Sequence, residues 1–394
     1  MKALALVEAR NHVCCRYRIR AFERSLQVSG WSLTIEPLKT GLIPRLFQLG
    51  RIAEFDAILL QRKLLPGWQL RELRKRTPRL IFDFDDAVLY RDSYDPRGPH
   101  HRRRLERFRQ TVQLADLVIA GNGFLADCAQ KAGARPDRVQ VIPTCVQTGP
   151  DELPPGSRRR DGVDLVWIGS SSTMAGLDRQ RSLWERLGQE IPGLRLRMVC
   201  DRFLRLESLP VVEAPWSEST EAADIAAADI GVSWIPDDLW SRGKCGLKVL
   251  QYQAAGLPVV ANPVGVHPEI IRDEVDGFLP RTPEEWVASI RRLAEDSDLR
   301  RRMGQTGRAS LKANYSVDAW SSRFVAAVTG VPPRSPIGPA ARAPAFLTRE
   351  PRFGVDATST SQTVPELLHG SSFSRPDSLT DGRMYPRPGD PARG

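Results

Sequence analysis

The stretch that decides the fold is Ser241–Leu279, SRGKCGLKVLQYQAAGLPVVANPVGVHPEIIRDEVDGFL. From Cys245 to Ala255 the apolar residues recur at three- and four-residue steps, which predicts a helix with one buried face. Gly256 can close this helix in a left-handed conformation, and the proline two residues later cannot continue it. The run LPVVA that follows is short, β-branched and apolar, which is typical of a strand in a parallel sheet. The stretch therefore predicts an α/β unit.

Two features of this unit predict an anion site. A turn at 262–265 precedes a second predicted helix, His267–Arg272, and the unpaired first N–H groups of a helix favour phosphate. Lys244 and Lys248 lie four residues apart at the start of the preceding helix, on one predicted face. On spacing alone, the two lysines either bind the anion or only solvate the helix surface.

The pattern KxxxKxLQYxAAGLPVVAxPVG…PEII…GFL resembles the donor-nucleotide-binding segment of the family four glycosyltransferases, which have the two-Rossmann GT-B fold. That family usually carries two glutamates separated by seven residues here, one for the donor sugar and one for the ribose. The corresponding positions are Gly243 and Gln251. The resemblance implies that Gln251 still hydrogen-bonds the ribose hydroxyls and that Asp237 or Asp238 replaces the sugar contact.

Length and composition set the outer limits. A chain of 394 residues predicts two domains with a core each. It contains no run of eighteen apolar residues, and its amino terminus lacks the apolar stretch and cleavage site of a signal peptide, so we expect a cytoplasmic protein. The 6 cysteines include no CxxC pair, and we expect all of them to be reduced.

The charge is divided unevenly along the chain. Residues 1–150 carry 26 basic and 15 acidic side chains, a net charge of +11, whereas residues 151–330 carry 23 and 26, a net charge of −3. A basic half predicts an anionic partner, either a membrane surface, a nucleic acid or a phosphorylated substrate. General solubility is the alternative explanation.

The first half alternates strands and helices, which predicts a parallel sheet. Predicted strands lie at 3–7, 31–35, 57–60, 79–84, 116–120 and 139–143, and predicted helices at 16–29, 67–75, 100–116 and 122–132. In the first loop the family often has a glycine pair, whereas this chain has none. Arg16 and Arg18 are therefore candidates for binding a phosphate or the acceptor, with ordinary helix-surface arginines as the alternative.

The segment Leu42–Phe55, LIPRLFQLGRIAEF, interleaves apolar residues with Arg45 and Arg51. An amphipathic helix of this kind lies on a membrane surface or packs on the sheet with its arginines outward. We favour the packing interpretation.

Three aspartates, Asp83, Asp85 and Asp86, end the predicted strand at 79–84. Ligands of open α/β sheets bind beyond the carboxyl ends of the strands, so Asp85 and Asp86 are candidates to accept a hydroxyl proton or bind sugar hydroxyls. Magnesium binding and capping of the next segment are alternatives. The resemblance argues against a required metal, and it places Asp85 roughly where the family often has a histidine.

The second half opens with VDLVWIGSSST at 163–173, a strand followed by a small polar loop. Gly169 and Ser170 are candidates to let a phosphate or ribose approach backbone amides. Further strands are predicted at 194–199, 209–212 and 230–234, and helices at 217–228, 283–295, 297–313 and 317–328. In this fold the last helix commonly crosses back to the first domain.

These observations predict an α/β protein with two Rossmann-like domains whose parallel sheets face across a cleft. The predicted division is an acceptor domain at 1–147, a linker at 148–162, a donor-nucleotide domain at 163–314, a crossing helix at 315–330 and a disordered tail at 331–394.

The function that the resemblance implies is transfer of a sugar from a nucleoside-diphosphate sugar to a glycan or lipid-linked surface-polysaccharide acceptor, with retention. We expect no cofactor, no required metal and no nucleic acid, and a place in the cytoplasm or on the inner face of the plasma membrane. A sugar-nucleotide epimerase, which needs no acceptor, and a non-catalytic basic binding module are the alternatives. The candidate catalytic residues are Asp85, Asp86, Lys244 and Lys248, and the candidate donor-binding residues are Gly169, Ser170, Asp237, Asp238, Arg242, Gln251, Gly265, Val266, His267 and Glu269.

Overall fold

Two six-stranded parallel sheets organise the protein in a computed structural model that describes residues 1–149 and 162–332. The strands of the first sheet are β1 (Lys2–Val7), β2 (Ser32–Pro37), β3 (Ala57–Gln61), β4 (Leu80–Phe84), β5 (Leu117–Ala120) and β6 (Val139–Val141). Their spatial order is β2-β1-β3-β4-β5-β6. The helices are α1 (Val13–Arg18), α2 (Glu23–Val28), α3 (Leu42–Gly50), α4 (Gly67–Arg76), α5 (Arg102–Leu114) and α6 (Gly123–Lys131).

The second sheet has the order β12-β11-β10-β7-β8-β9. Its strands are β7 (Val163–Ile168), β8 (Leu194–Cys200), β9 (Val211–Pro215), β10 (Ile230–Ser233), β11 (Val259–Ala261) and β12 (Gly277–Phe278). The helices are α7 (Ser171–Arg179), α8 (Arg181–Glu190), α9 (Glu221–Ala226), α10 (Leu239–Arg242), α11 (Leu247–Ala254), α12 (His267–Ile270), α13 (Pro283–Glu295), α14 (Ser297–Asn314) and α15 (Val317–Thr329). Two parallel α/β sheets confirm the predicted fold class.

Helices cover both faces of the first sheet, which explains why its inner strands are apolar throughout. Leu60 and Phe82 belong to the core beneath α3, α4 and α5, whereas Leu59 and Ile81 belong to the core beneath α1 and α2. The last helix, α15, joins this second core, and its Phe324 stacks on Phe22 with 4.2 Å between ring centroids. The chain thus returns from the second sheet to the first.

Some predicted helices differ from the observed ones. The predicted helix Arg16–Ser29 is divided into α1, a 3₁₀ turn at Arg20–Phe22 and α2, and the chain bends at Ile19, which is buried. The predicted helix from Cys245 begins only at Leu247, because Gly246 adopts the left-handed conformation with φ of 67°. The predicted helix His267–Arg272 is a single turn, α12.

The favoured interpretation of Leu42–Phe55 holds for its second part, where Ile52 is buried and Arg51 faces outward, but is wrong in orientation for most of α3. The apolar residues Leu42, Ile43 and Phe47 of α3 are exposed, whereas Gln48 and Leu49 are buried. Arg45 turns back to donate hydrogen bonds to the carbonyl oxygen of Lys39 and, at 3.0 Å, to the side chain of Gln69. The polar groups of this helix are therefore used inside the domain and its apolar face is left outside.

Most of the predicted linker and of the predicted tail lies outside the described residues, at 150–161 and 333–394. Within the described ranges, every helix is too short or too polar to span a bilayer.

Candidate active site

The carboxyl ends of the two sheets meet in direct contact. The Asn122 side chain, after β5, donates hydrogen bonds to the carbonyl oxygens of Arg242 at 3.3 Å and Lys244 at 3.0 Å. The thiol of Cys245 donates to the carbonyl oxygen of Asp85 at 3.3 Å. The segment between α10 and α11 therefore lies against the ends of β4 and β5, and this junction contains both the candidate aspartates and the candidate lysines.

On the first sheet, Arg62 holds the two aspartates that follow β4. Its guanidinium lies 2.5 Å from Asp86 Oδ2 and 3.6 Å from Asp85 Oδ1, and it also contacts the thiol of Cys14. Burial opposes the charge of Arg62, but the two carboxylates outweigh it and raise the pKa of the guanidinium. Arg62 has φ of 57°, which is unusual for a residue other than glycine. The side chain is thus placed beside the aspartates at some backbone strain.

The same cluster bears on the magnesium alternative. Ligand atoms of Cys14, Asp85 and Asp86 all lie within 4.8 Å of one another. However, the Arg62 guanidinium already contacts all three side chains and supplies the positive charge that a metal ion would bring. A thiol is also a poor ligand for a hard cation such as Mg²⁺. The cluster therefore fits an arginine-held carboxylate pair better than a magnesium site.

On the second sheet, Lys248 has a different environment. Its ammonium lies over the ring of Trp167 at 4.1 Å from the centroid, and no carboxylate of the described residues lies within ion-pair distance. Burial lowers the pKa of Lys248 to about 7, and repulsion from Lys244 adds to the effect. A cation over an aromatic face is only modestly stabilised. A bound anion would therefore stabilise the charged form of Lys248.

Lys244 is placed differently from the prediction. It precedes α11, so it does not share a helix face with Lys248, and its Nζ lies 3.6 Å from Asp86 Oδ1 and over the Trp240 ring. Asp86 thus pairs with Arg62 of the first sheet and Lys244 of the second. This contact links the two candidate catalytic groups directly.

The position of the first family glutamate is closed by packing. A Cβ at Gly243 would lie 2.6 Å from the Cβ of Ala87 and 2.8 Å from its backbone nitrogen. A real Cβ essentially never approaches other atoms so closely, so no longer side chain fits here while the two sheets are in contact. Glycine at 243 is therefore required by the junction.

Gln251 is engaged by the opposite domain. Its side-chain amide donates to the hydroxyl of Tyr17 at 3.0 Å, and Tyr17 donates in turn to Glu221 at 2.7 Å. Glu221 also accepts from Arg16 at 2.7 Å and from the Trp216 indole at 2.8 Å. Burial opposes the charge of Glu221, but these hydrogen bonds prevail and lower its pKa. A ribose at Gln251 would have to displace Tyr17.

The two candidate arginines of the first loop have separate roles. Arg16 pairs with Glu221 and with Glu218 across the domain junction. Arg18 is 2% exposed and pairs with the fully buried Asp83 at 2.5 Å, so its interpretation as a helix-surface arginine is wrong and its guanidinium is already used inside the first domain. Removing one partner of such a buried pair is strongly destabilising, which gives Arg18 a structural role.

The predicted amide sites are already occupied. At the start of α7, the N–H and hydroxyl of Ser171 both donate to Asp201 at 2.7 Å, and the Ser170 N–H donates to the Thr173 hydroxyl at 3.2 Å. A Cβ at Gly169 would collide with the Trp167 ring. A phosphate approaching these amides would meet a carboxylate, so the predicted contacts at Gly169 and Ser170 are not free.

His267 has a structural environment. Its N–H donates to the carbonyl of Val264 at 3.2 Å, its Nδ1 lies 2.7 Å from the carbonyl oxygen of Asn262, and its Nε2 lies 3.3 Å from the Ser233 hydroxyl. Burial lowers the pKa of His267 to about 4, so the ring is neutral at pH 7. The helix begins at His267 as predicted but has only one turn, so the anion site at its first amides stays a prediction.

Most of the remaining donor-binding candidates line one cavity of about 290 Å³ at the domain junction, whereas Asp238 lies outside its lining. Burial raises the pKa of Glu269 there to about 7. Asp237 pairs with Arg242 at 2.7 Å on the exposed rim, and Asp238 caps α10 and accepts from Ser93 at 3.1 Å. The cavity is lined by Asn122, Phe124, Asp237, Arg242, Pro263, Val264, Gly265, Val266 and Glu269.

Three residues of the site, Arg62, Tyr17 and Glu221, are not among those predicted from the sequence. Arg62 was identifiable in principle, because it follows β3 at the same sheet edge as the aspartates. Nothing in the sequence around Tyr17 or Glu221 marks either as a site residue. Their pairing joins residues 204 positions apart, and no local pattern predicts it.

Comparison with known proteins agrees with this architecture. Residues 239–310 match the family model described as glycosyl transferases group 1. A curated relative, the D-inositol 3-phosphate glycosyltransferase of Geodermatophilus obscurus, is 27% identical over 260 residues, which are 58% of this chain and 56% of the relative. The chain therefore spans about half the length of the curated relatives that it matches.

Among solved structures, HepE of Anabaena in complex with UDP and glucose superimposes with a TM-score of 0.57 at 17% identity, covering 84% of this chain and 100% of HepE. Sucrose-phosphate synthase of Thermosynechococcus elongatus gives 0.59 at 16% identity, covering 82% and 96%. The fold is the GT-B fold of these structures, and residues 239–310 are similar to the group 1 glycosyl transferases. This similarity confirms the resemblance seen in Ser241–Leu279.

Proposed function

We propose that this protein transfers a sugar from a nucleoside-diphosphate sugar to a glycan or lipid-linked acceptor, with retention, in the assembly of a surface polysaccharide. The observation that carries the proposal is Lys248, a half-buried cation over Trp167 with no carboxylate partner among the described residues. It lies within the segment that matches the group 1 glycosyltransferases. HepE, which shares the fold, is a protein whose complex contains UDP and glucose.

The reaction requires that the bond between the anomeric carbon and the diphosphate oxygen break with its electron pair leaving on the diphosphate. In this proposal Lys248 stabilises the departing charge, since it lies in a partly desolvated site where an ion pair is worth more than in water. The acceptor oxygen forms the new bond to the same carbon. Its proton passes to a carboxylate at the end of β4, for which Asp85 is the candidate.

Asp85 and Asp86 differ in the contacts that their carboxylate oxygens make. Asp86 is paired with Arg62 and Lys244, whereas Asp85 Oδ1 accepts no hydrogen bond from the described residues. Asp85 Oδ1 is buried in the closed junction, so the acceptor must separate the two sheets to reach it. In this proposal Arg62 and Asp86 hold Asp85 in place, and the reaction needs no metal ion and no cofactor.

The acceptor and the cellular place are the finer parts of the proposal. The basic charge of residues 1–150 supports a phosphorylated or membrane-bound acceptor reached from the cytoplasmic side. An epimerase would consume the same donor without an acceptor, and a binding module would consume none.

A ligand screen followed by a transfer assay tests the proposal. UDP, GDP and their sugar conjugates are compared by thermal shift, since a ligand at a hundred times its dissociation constant stabilises by about 2.7 kcal/mol. We expect one nucleotide to stabilise the protein, and its sugar conjugate to be consumed only when lipid or glycan extract is added. Stabilisation by none of them, or consumption independent of acceptor, would refute transfer.

A further inference from the structure

The outward side of α3 has no internal explanation. Leu42, Ile43, Leu46 and Phe47 are 56%, 67%, 46% and 75% exposed, and all belong to one helix of 9 residues. Single exposed apolar side chains are ordinary on a protein surface, but four on one short helix form a continuous apolar strip. Such a strip costs free energy in water.

The orientation of α3 is fixed from the inside. The Gln48 side chain accepts a hydrogen bond from the Lys39 N–H at 3.0 Å and donates to Glu36 at 3.1 Å and to the carbonyl oxygen of Pro37 at 3.0 Å. Leu49 is buried in the core that α3 shares with α4 and α5. Rotating the helix to hide its apolar strip would break these hydrogen bonds and expose Leu49. The strip is therefore a built feature of the surface.

The neighbouring helices extend the same surface. Trp68 on α4 is 43% exposed and Leu105 on α5 is 44% exposed, and both helices cover the same face of the first sheet as α3. On α5, Arg102, Arg103 and Arg104 are exposed and lie directly beside Leu105 in sequence. The apolar strip of α3, the exposed Trp68 of α4 and the exposed arginines of α5 thus lie in one layer of helices, on the same face of the first sheet.

We propose that α3 docks this protein on an anionic lipid surface, inserting Leu42, Ile43, Leu46 and Phe47 among the acyl chains while the arginines of α5 meet the headgroups. Charge complementarity selects this occupant, because residues 1–150 carry a net charge of +11 whereas residues 151–330 carry −3. Tryptophan is also enriched at membrane interfaces. The inference rests on the proposed function for its purpose, since docking brings the transferase to a lipid-linked acceptor.

Vesicle sedimentation of the full chain tests the docking. Vesicles of phosphatidylcholine alone and with phosphatidylglycerol are compared at low and at physiological salt. We expect binding only to the anionic vesicles, weakened by salt because exposed charges are screened within about 8 Å at 0.15 M ionic strength. Equal sedimentation with both compositions at low salt would overturn the proposal.

Substitutions test whether the apolar strip, rather than nonspecific adsorption of the protein, causes the vesicle binding. The double variant Leu46→Ser/Phe47→Ser is expected to bind anionic vesicles at least about tenfold more weakly, because two large apolar side chains no longer leave water. The matched control is Val28→Ser on α2, which changes an 82% exposed apolar residue on the opposite layer and should bind as the parent does. Equal loss in both variants, or no loss in the double variant, would contradict docking by α3.

Two further readouts identify which hypothesis fails. If the parent chain dimerises in solution and the double variant does not, while neither binds vesicles, the strip is a contact between copies and the proposal is wrong. Nucleotide stabilisation measured on the same samples reports the donor site independently. A parent chain that binds no vesicles but is still stabilised by a nucleotide therefore overturns the docking and leaves the proposed transfer intact.

Discussion

The two sheet edges that meet at the junction treat charge in opposite ways. At the end of β4, Asp83 is paired with Arg18, and Asp85 and Asp86 are paired with Arg62, so the charges largely cancel within the protein. At the start of α11, Lys248 faces an aromatic ring and has no carboxylate partner among the described residues. The charged groups of the first edge are thus already paired, whereas the second edge presents a cation that has no carboxylate partner among the described residues. An anionic ligand is therefore expected at the second edge, beside Lys248.

Removing the Lys248 ammonium at the start of α11 is expected to have the largest effect. Lys248→Ala should raise the activation free energy derived from kcat/KM by about 2–4 kcal/mol, which is the range for loss of one preorganised hydrogen-bond donor. Both kcat and the affinity for the nucleotide sugar should fall. Steady-state kinetics with the nucleotide sugar identified by the screen provide the measurement. A variant that binds UDP and GDP as the parent does would mean that Lys248 only covers Trp167.

A companion variant, Lys248→Met, tests whether the lysine has a structural use. The folded-state pKa of Lys248 is lowered to about 7, so the unfolded chain binds more protons above that pH and the cost to stability is greatest below pH 7. Replacing the lysine by methionine should therefore raise the thermal stability of the ligand-free protein at pH 6, with a smaller gain at pH 9. A destabilised Lys248→Met protein at pH 6 would contradict this account.

Substitutions at the first edge, at the end of β4, are expected to give a smaller effect, on turnover rather than on nucleotide binding. Asp85→Asn should lower turnover at least about tenfold while nucleotide binding changes little, because the donor contacts belong to the second sheet. Asp86→Asn removes a partner of both Arg62 and Lys244, so we expect the same direction, with some loss of thermal stability in addition. Near-full activity in both variants, or abolished nucleotide binding, would refute the division of roles. A requirement for Mg²⁺ that EDTA abolishes would indicate metal binding by the same carboxylates.

The latch between Gln251, Tyr17 and Glu221 gives the smallest expected effect. Gln251→Ala should weaken nucleotide binding by roughly 1 kcal/mol, since it removes a neutral hydrogen bond to the ribose. Tyr17→Phe is the matched control, because it frees Gln251 from its present partner and should leave nucleotide binding equal or slightly tighter. Calorimetric titration of both variants measures the difference. Tighter binding by Gln251→Ala than by the parent would show that the amide does not contact the nucleotide.

The sequence predicted the alternation of strands and helices well because each buried strand and each helix face is set by local periodicity. The class of the donor segment followed from the residues at 244–279, which the comparison confirmed. The environments of individual charges could not be predicted in the same way. Lys244 and Lys248 look equivalent in sequence, but Gly246 starts the helix between them and Asp86 of the distant first sheet neutralises only Lys244.

The same reason explains the error on α3 and the missed latch. Periodicity located an amphipathic helix at Leu42–Phe55, but whether its apolar side faces the core depends on hydrogen bonds of Gln48 and Arg45 to residues on other elements. Tyr17 and Glu221 pair across the two domains, so their contact follows from the packing of the sheets. Local sequence therefore predicts which side of a helix or strand is apolar, whereas tertiary contacts decide which residues pair.

Proton uptake on nucleotide binding tests whether Lys248 receives the diphosphate. In the free protein the pKa of Lys248 is about 7, and a diphosphate beside it should raise that pKa. Calorimetric titration at pH 8, in buffers of different ionisation enthalpy, should therefore show uptake of about one proton per bound UDP or GDP, and affinity should fall as pH rises further above 7. Lys248→Met should abolish the uptake. Nucleotide binding without proton uptake in the parent, or identical uptake in Lys248→Met, would contradict the account.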